Sequence, residues 1–113
     1  MSQTPEAVVQ HQIDAYNACD LNAFAETYSS GIVVRRGDGG IICKGQKALR
    51  ELYGKLFHEN PDQMALIMSR ITGGEFVVDD EEVIGRADGK RRRAVAIYRV
   101  CNGLIDEVTL ISK

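Results

Sequence analysis

The sequence predicts an α+β protein in which helices come first and a long antiparallel sheet follows, and three features carry that prediction. Apolar residues recur at helical spacing from Val9 to Tyr28 and again after Gly45. A glycine-rich stretch, GIVVRRGDGGIICKG, separates the two helical regions and reads as a hairpin. From Asp62 onward the runs MALIMSRIT, EFVVDDEEVIG, RAVAIYRVC and LIDEVTLIS are divided by turn residues, as consecutive strands require.

Each element has a local cause. Thr4 can cap a helix with Pro5 at its first position and Glu6 in its first turn; Val9, Ile13 and Tyr16 then share a face as far as about Ala18. Asp20 caps a shorter second helix, with Leu21, Phe24 and Tyr28 on one side and an end expected between Ser29 and Gly31. Two short strands meet at Gly37-Asp38-Gly39-Gly40, where glycine supplies the positive φ of a tight turn. Leu49, Leu52, Tyr53, Leu56 and Phe57 form the stripe of a third helix that Asn60-Pro61 should end. Gly73-Gly74, RADGK and Asn102-Gly103 then divide a four-stranded meander.

Several of those strands are apolar on both faces: Ala65 and Ile67 alternate with Met64, Leu66 and Met68, while Val95 and Ile97 alternate with Ala94, Ala96 and Tyr98. A sheet with water on one side shows cleaner alternation, so one face is expected on the helices and the other on a second copy, giving a homodimer through the outer sheet face.

With 113 residues the chain fits one domain, 1–113, and its 44% apolar and 27% charged residues are ordinary for a soluble globule. No apolar run approaches the ~20 residues of a membrane span, so no membrane association is expected. The opening MSQTPEAVVQ has neither a basic nor an apolar leader, which points to the cytoplasm. Cys19, Cys43 and Cys101 have no paired spacing, and His11 and His58 stand far apart, so neither a disulfide framework, a metal site nor a cofactor is expected. His58 suits the C-terminus of the third helix as a cation. A net charge of −2 gives no general attraction to nucleic acid.

The pieces AYNACDLNAFAETYSSGIVV, KGQKALRELYGKLF and YRVCNGLIDEV, in this order of elements, resemble the nuclear transport factor 2-like superfamily, and within it the bacterial SnoaL-like proteins related to ketosteroid isomerases. The resemblance spans nearly the whole chain and implies a cone-shaped fold: three helices on a strongly curved sheet, ordered α-α-β-β-α-β-β-β-β, around a central pocket. One such scaffold hosts isomerases, cyclases, dehydratases, hydrolases and binding modules, so activity has to be argued at the site.

The isomerases use a carboxylate base with a tyrosine and a protonated aspartic acid as oxyanion donors. Carried onto this chain by the resemblance, the tyrosine falls at Gln12, the base at Arg36 and the acid at Ala96, with only the supporting tyrosine retained as Tyr53. A guanidinium is no base near neutrality, so a conventional steroid isomerase is not expected. Arg36 could instead hold a carboxylate or phosphate at the pocket mouth, or both Arg35 and Arg36 could lie in solvent. Gln12, Tyr16, Tyr28, Arg36, Tyr53, Phe57 and Tyr98 are the candidate ligand-binding residues, with Phe24 adding to the apolar lining.

The run Asp79-Asp80-Glu81-Glu82 puts two carboxylates on each face of a strand. Asp80 and Glu82, sharing a face with Val78 and Ile84, are the acid/base candidates; alternatively the run is an exposed strand end neutralised by Lys90-Arg91-Arg92-Arg93. The expected function is the binding of a small, mostly apolar molecule, with an anionic group accommodated at Arg36. The alternatives are a small-pocket enzyme using Asp80 or Glu82 as base, and an interaction module whose pocket has collapsed.

Overall fold

A computed structural model describes residues 3–113. Helices α1 (Pro5–Asn17) and α2 (Leu21–Glu26) lead into strands β1 (Tyr28–Arg36) and β2 (Ile41–Lys44). Helix α3 (Gly45–Glu59) follows, and then β3 (Met64–Gly73), β4 (Phe76–Ile84), β5 (Arg92–Cys101) and β6 (Leu104–Ser112). The strands form one sheet in the order β2-β1-β6-β5-β4-β3. Only β1 and β6 run parallel; every other neighbouring pair is antiparallel. With the helices packed on one side, this is the α+β cone that the element order predicts.

The caps work as their chemistry requires. Thr4 Oγ1 accepts from the Ala7 N–H at 3.1 Å and an Asp20 carboxylate oxygen accepts from the Ala23 N–H at 3.1 Å, each satisfying an orphan donor of a helix first turn. Asn102 and Gly103 both take positive φ, 54° and 78°, the conformation of a two-residue hairpin turn between β5 and β6.

One boundary differs from the sequence reading. Tyr28 is not the last apolar position of α2 but the first residue of β1. Helix α2 stops at Thr27, whose hydroxyl donates back to the Phe24 carbonyl at 2.7 Å while its own carbonyl accepts from the Ile105 N–H at 2.8 Å. Pairing with a strand at the other end of the chain thus overrides the local helical period.

Cross-strand register assigns the faces of the sheet, since directly opposed residues point the same way. On β4 the inward set is Val77, Asp79, Glu81 and Val83, opposite Tyr98, Ala96, Ala94 and Arg92 of β5. The core between this face and the helices is built on Phe24, Ile32, Leu49 and Ile105, all fully buried. Phe24 centres an aromatic cluster, with ring centroids 4.6 Å from Tyr53, 5.0 Å from Tyr28 and 5.4 Å from Phe57. Asn17 joins α1 to β3 by both backbone groups of Ala65, accepting from its N–H at 2.7 Å and donating to its carbonyl at 3.2 Å. The outward face carries exposed Met68, Ile71 and Ile111. Among the described residues no helix is long and apolar enough to cross a membrane.

Candidate functional site

The cone encloses a cavity of about 550 Å³ between α1, α3 and the inner face of the sheet. Its walls are Ile13, Tyr16, Tyr28, Tyr53, Leu56, Val83, Tyr98, Val108 and Leu110, and its polar groups are Gln12, Glu81 and Arg86 within, and Arg36, Arg91, Arg92, Arg93 and Lys113 at its mouth. An apolar chamber with a few directed polar atoms is the ordinary form of a small-molecule site.

Helix α1 supplies Gln12 and the hydroxyl of Tyr16. Gln12, four residues before Tyr16 and therefore on the same helix face, is 3% exposed, and its Oε1 has no hydrogen-bond partner. The Tyr16 hydroxyl donates to Gln63 Oε1 at 3.2 Å and accepts from Arg86 Nη2 at 3.2 Å. Burial raises the Tyr16 pKa and the adjacent Arg86 pulls it back, so the hydroxyl stays a neutral donor. Burial likewise keeps Tyr28, Tyr53 and Tyr98 protonated, with pKa values above the usual phenol range.

Glu81 is the most perturbed carboxyl in the cavity. Desolvation, with the like charge of Asp79 second, raises its pKa from 4.5 to about 7, against a partial opposing effect of Arg70. Its Oε2 is buried and unpartnered. A carboxyl that exchanges its proton near neutrality inside an apolar cavity is suited to general acid/base work.

The structure moves the acid/base candidates by one residue. Asp80 and Glu82 do not line the cavity. They point to the outer face, where Asp80 is held by Arg93 at 3.0 Å and Lys113 at 3.1 Å, and Glu82 lies 3.5 Å from Arg91. Those hydrogen bonds, Arg93 first, lower the Asp80 pKa and make it a committed anion. The basic run therefore neutralises only the outward half of the acidic run, since Arg92 turns to Asp88 at 2.6 Å. Asp79 is paired from the other side by Arg70, and among the described residues Glu81 has no cation of its own.

Of the other candidates, Gln12, Tyr16, Tyr28, Tyr53 and Tyr98 come together on the cavity wall. Phe57 does not line it: α3 turns that ring behind Tyr16, edge-on at 5.5 Å, so it supports the wall rather than forming it. Arg36 reaches the mouth and Arg35 the outer face, 3.9 Å from Glu107. The Arg36 side chain is 57% exposed, pairs with Asp38 at 3.5 Å and lies over Gly40, where any Cβ would strike its guanidinium. Sequence reasoning missed Glu81 and Arg86. The parity of β4 was the available signal for Glu81, whereas Arg86, in RADGK, carried only turn chemistry.

The cone and its sheet order are those of the nuclear transport factor 2-like fold, and solved structures superpose on it. A cystatin-fold protein of uncharacterised function from Novosphingobium aromaticivorans superposes with a TM-score of 0.89 at 21% identity, covering 97% of this chain and 99% of that one. A protein from Kribbella flavida provisionally assigned as a ketosteroid isomerase gives a TM-score of 0.81 at 17% identity over 96% and 77% of the two chains. One from Jannaschia, provisionally assigned as a SnoaL-like polyketide cyclase, gives 0.80 at 15% identity over 96% and 85%. Residues 9–108 match the SnoaL-like domain model, and the chain belongs to that family. No curated protein matches it by sequence.

Proposed function

We propose that this chain is a SnoaL-like small-molecule-binding protein whose cavity takes a mostly apolar molecule with one polar end. The observation that carries this reading is the cavity itself: about 550 Å³, open at a cationic mouth and walled by tyrosines and aliphatic side chains. A collapsed interior, as an interaction module would have, does not fit that volume. Ala94 lines the chamber, so Ala94→Phe should narrow it. Titration with the neutral fluorophore prodan should give one site in the wild type and weaker binding in that variant; unchanged binding would contradict the reading.

A second reading is favoured by Glu81. With its raised pKa and unpartnered oxygen it takes the acid/base role considered above for Asp80 and Glu82. On this reading the protein exchanges a proton next to a carbonyl. Deuterium uptake by 2-tetralone in heavy water should be accelerated by the wild type and fall about 100-fold or more in Glu81→Gln, the usual range for a positioned acid or base. Equal rates in the two proteins would exclude it.

A homodimer through the outer sheet face belongs to the same proposal. Exposed Met68, Ile71 and Ile111, beside half-buried Val78, Val95 and Ile97, support it. Sedimentation should give a dimer that Ile71→Asp dissociates.

A further inference from the structure

We propose that Arg86 is the anion-binding residue of the cavity and that the molecule it accepts is an amphiphilic carboxylic acid, its apolar body against Tyr28, Tyr53 and Tyr98. This rests on the reading of the cavity as a ligand site and goes beyond it by naming the polar end of the ligand and the residue that meets it.

Five arginines line the cavity, and four of them already have a carboxylate. Arg36 lies 3.5 Å from Asp38, Arg91 3.5 Å from Glu82, Arg92 2.6 Å from Asp88 and Arg93 3.0 Å from Asp80. Among the described residues Arg86 pairs with none. Its Nη2 donates to the Tyr16 hydroxyl, and its Nε is buried with no acceptor. A buried guanidinium N–H without an acceptor is costly unless something fills the place.

The vacant edge has the right shape for a carboxylate. Nε and Nη2 form the side of the guanidinium that engages two oxygens at once, and this chain uses the same edge twice elsewhere. Arg70 gives it to Asp79 at 2.6 and 2.9 Å, and Arg99 gives it to Asp106 at 2.9 and 2.9 Å. The Arg86 Nη2 carries two hydrogens and Tyr16 takes one of them, so a carboxylate meeting Nε and Nη2 would lie beside the Tyr16 hydroxyl.

The backbone around Arg86 is fixed in advance. Gly85 has φ 78°, and a Cβ there would strike the carbonyl of Asp62, so the chain passes this point only as glycine. The next N–H, of Ala87, donates to Asn60 Oδ1 at 2.9 Å, and the Gly89 N–H closes the turn on the Arg86 carbonyl at 2.9 Å. A preset side chain loses less entropy on binding. Glu81, in the same chamber, is mostly protonated below its raised pKa of about 7, which relieves the repulsion a second carboxylate would otherwise meet. One free guanidinium edge matches a single charge; a phosphate dianion would need a second cation, and although the Nε of Arg93 also lacks an acceptor, its Nη2 is held by both oxygens of Asp80.

Calorimetry on the full chain with 2-naphthoate, 2-naphthamide and 2-naphthyl phosphate, at about pH 6.5 where the naphthoate is ionised, tests this. The acid should bind on the order of tenfold tighter than its amide. Arg86→Met should bring the acid to the level of the amide without weakening the amide, while Arg35→Ala, on the outer face, keeps the preference. Acid and amide binding equally to the wild type, a preference that survives in Arg86→Met, or tighter binding of the phosphate would each overturn the assignment while leaving the cavity a ligand site. Failure of both acid and amide to bind would overturn the ligand-site reading and this proposal with it. The wild-type comparison stands even if Arg86→Met does not fold.

Discussion

Asp79 and Glu81 stand two residues apart on the inner face of β4, and the protein treats them in opposite ways. Asp79 is fully buried, and both its oxygens are met by Arg70, at 2.6 and 2.9 Å. Arg70 is itself tied to Gln10 at 2.9 Å, so the pair bridges β3, β4 and α1. Glu81 has a buried oxygen with no partner and a pKa raised to about 7. One carboxylate is closed and structural; the other is left open toward the cavity. A buried charge whose bonds are complete has nothing to offer a ligand, whereas one left incomplete is held in an uncomfortable state by the rest of the fold, as binding and catalytic groups are.

The sharpest way to break this contrast is to strand the closed carboxylate. Arg70→Met leaves Asp79 buried without its cation and should cost about 3 to 5 kcal/mol, read as a lowered urea midpoint. Glu81→Gln should do the reverse. The folded pKa, about 7, lies above the ordinary 4.5, so the wild type has its full stability below about pH 4.5 and loses stability as pH rises through 7. The variant, free of that loss, should exceed the wild type by on the order of 3 kcal/mol at pH 8 and by little at pH 4. Tyr16→Phe removes the hydroxyl between Gln63 and Arg86 and should cost about 1 kcal/mol, the net worth of such a hydrogen bond. Arg36→Ala, at an exposed pair on the rim, should change stability by no more than about 0.5 kcal/mol in the same melts.

The same two carboxylates show how far the sequence was legible. Signals within one turn of chain were read directly: the caps Thr4 and Asp20, the glycine turn after Arg36, and the Asn102-Gly103 reversal. The face of β4 was not, because Val77 and Val83 bracket the acidic run on one side of the strand and Val78 and Ile84 bracket it on the other. Only the pairing of Asp79 with Ala96 and Arg70 settles that parity, and such register is a property of the assembled sheet. Tyr28 moved from helix to strand for a similar reason, since its partner Ile105 lies at the far end of the chain. The vacancy at Arg86 was less visible still: it depends on where Arg91, Arg92 and Arg93 find their carboxylates.

The contrast between Asp79 and Glu81 depends on Glu81 being an open carboxyl inside the cavity. Its side-chain carboxyl carbon, followed by carbon-13 NMR as a function of pH in the wild type and assigned by its absence in Glu81→Gln, reports this directly. An open, desolvated Glu81 should give a titration midpoint at about 7, and a midpoint at the ordinary 4.5 would contradict the contrast.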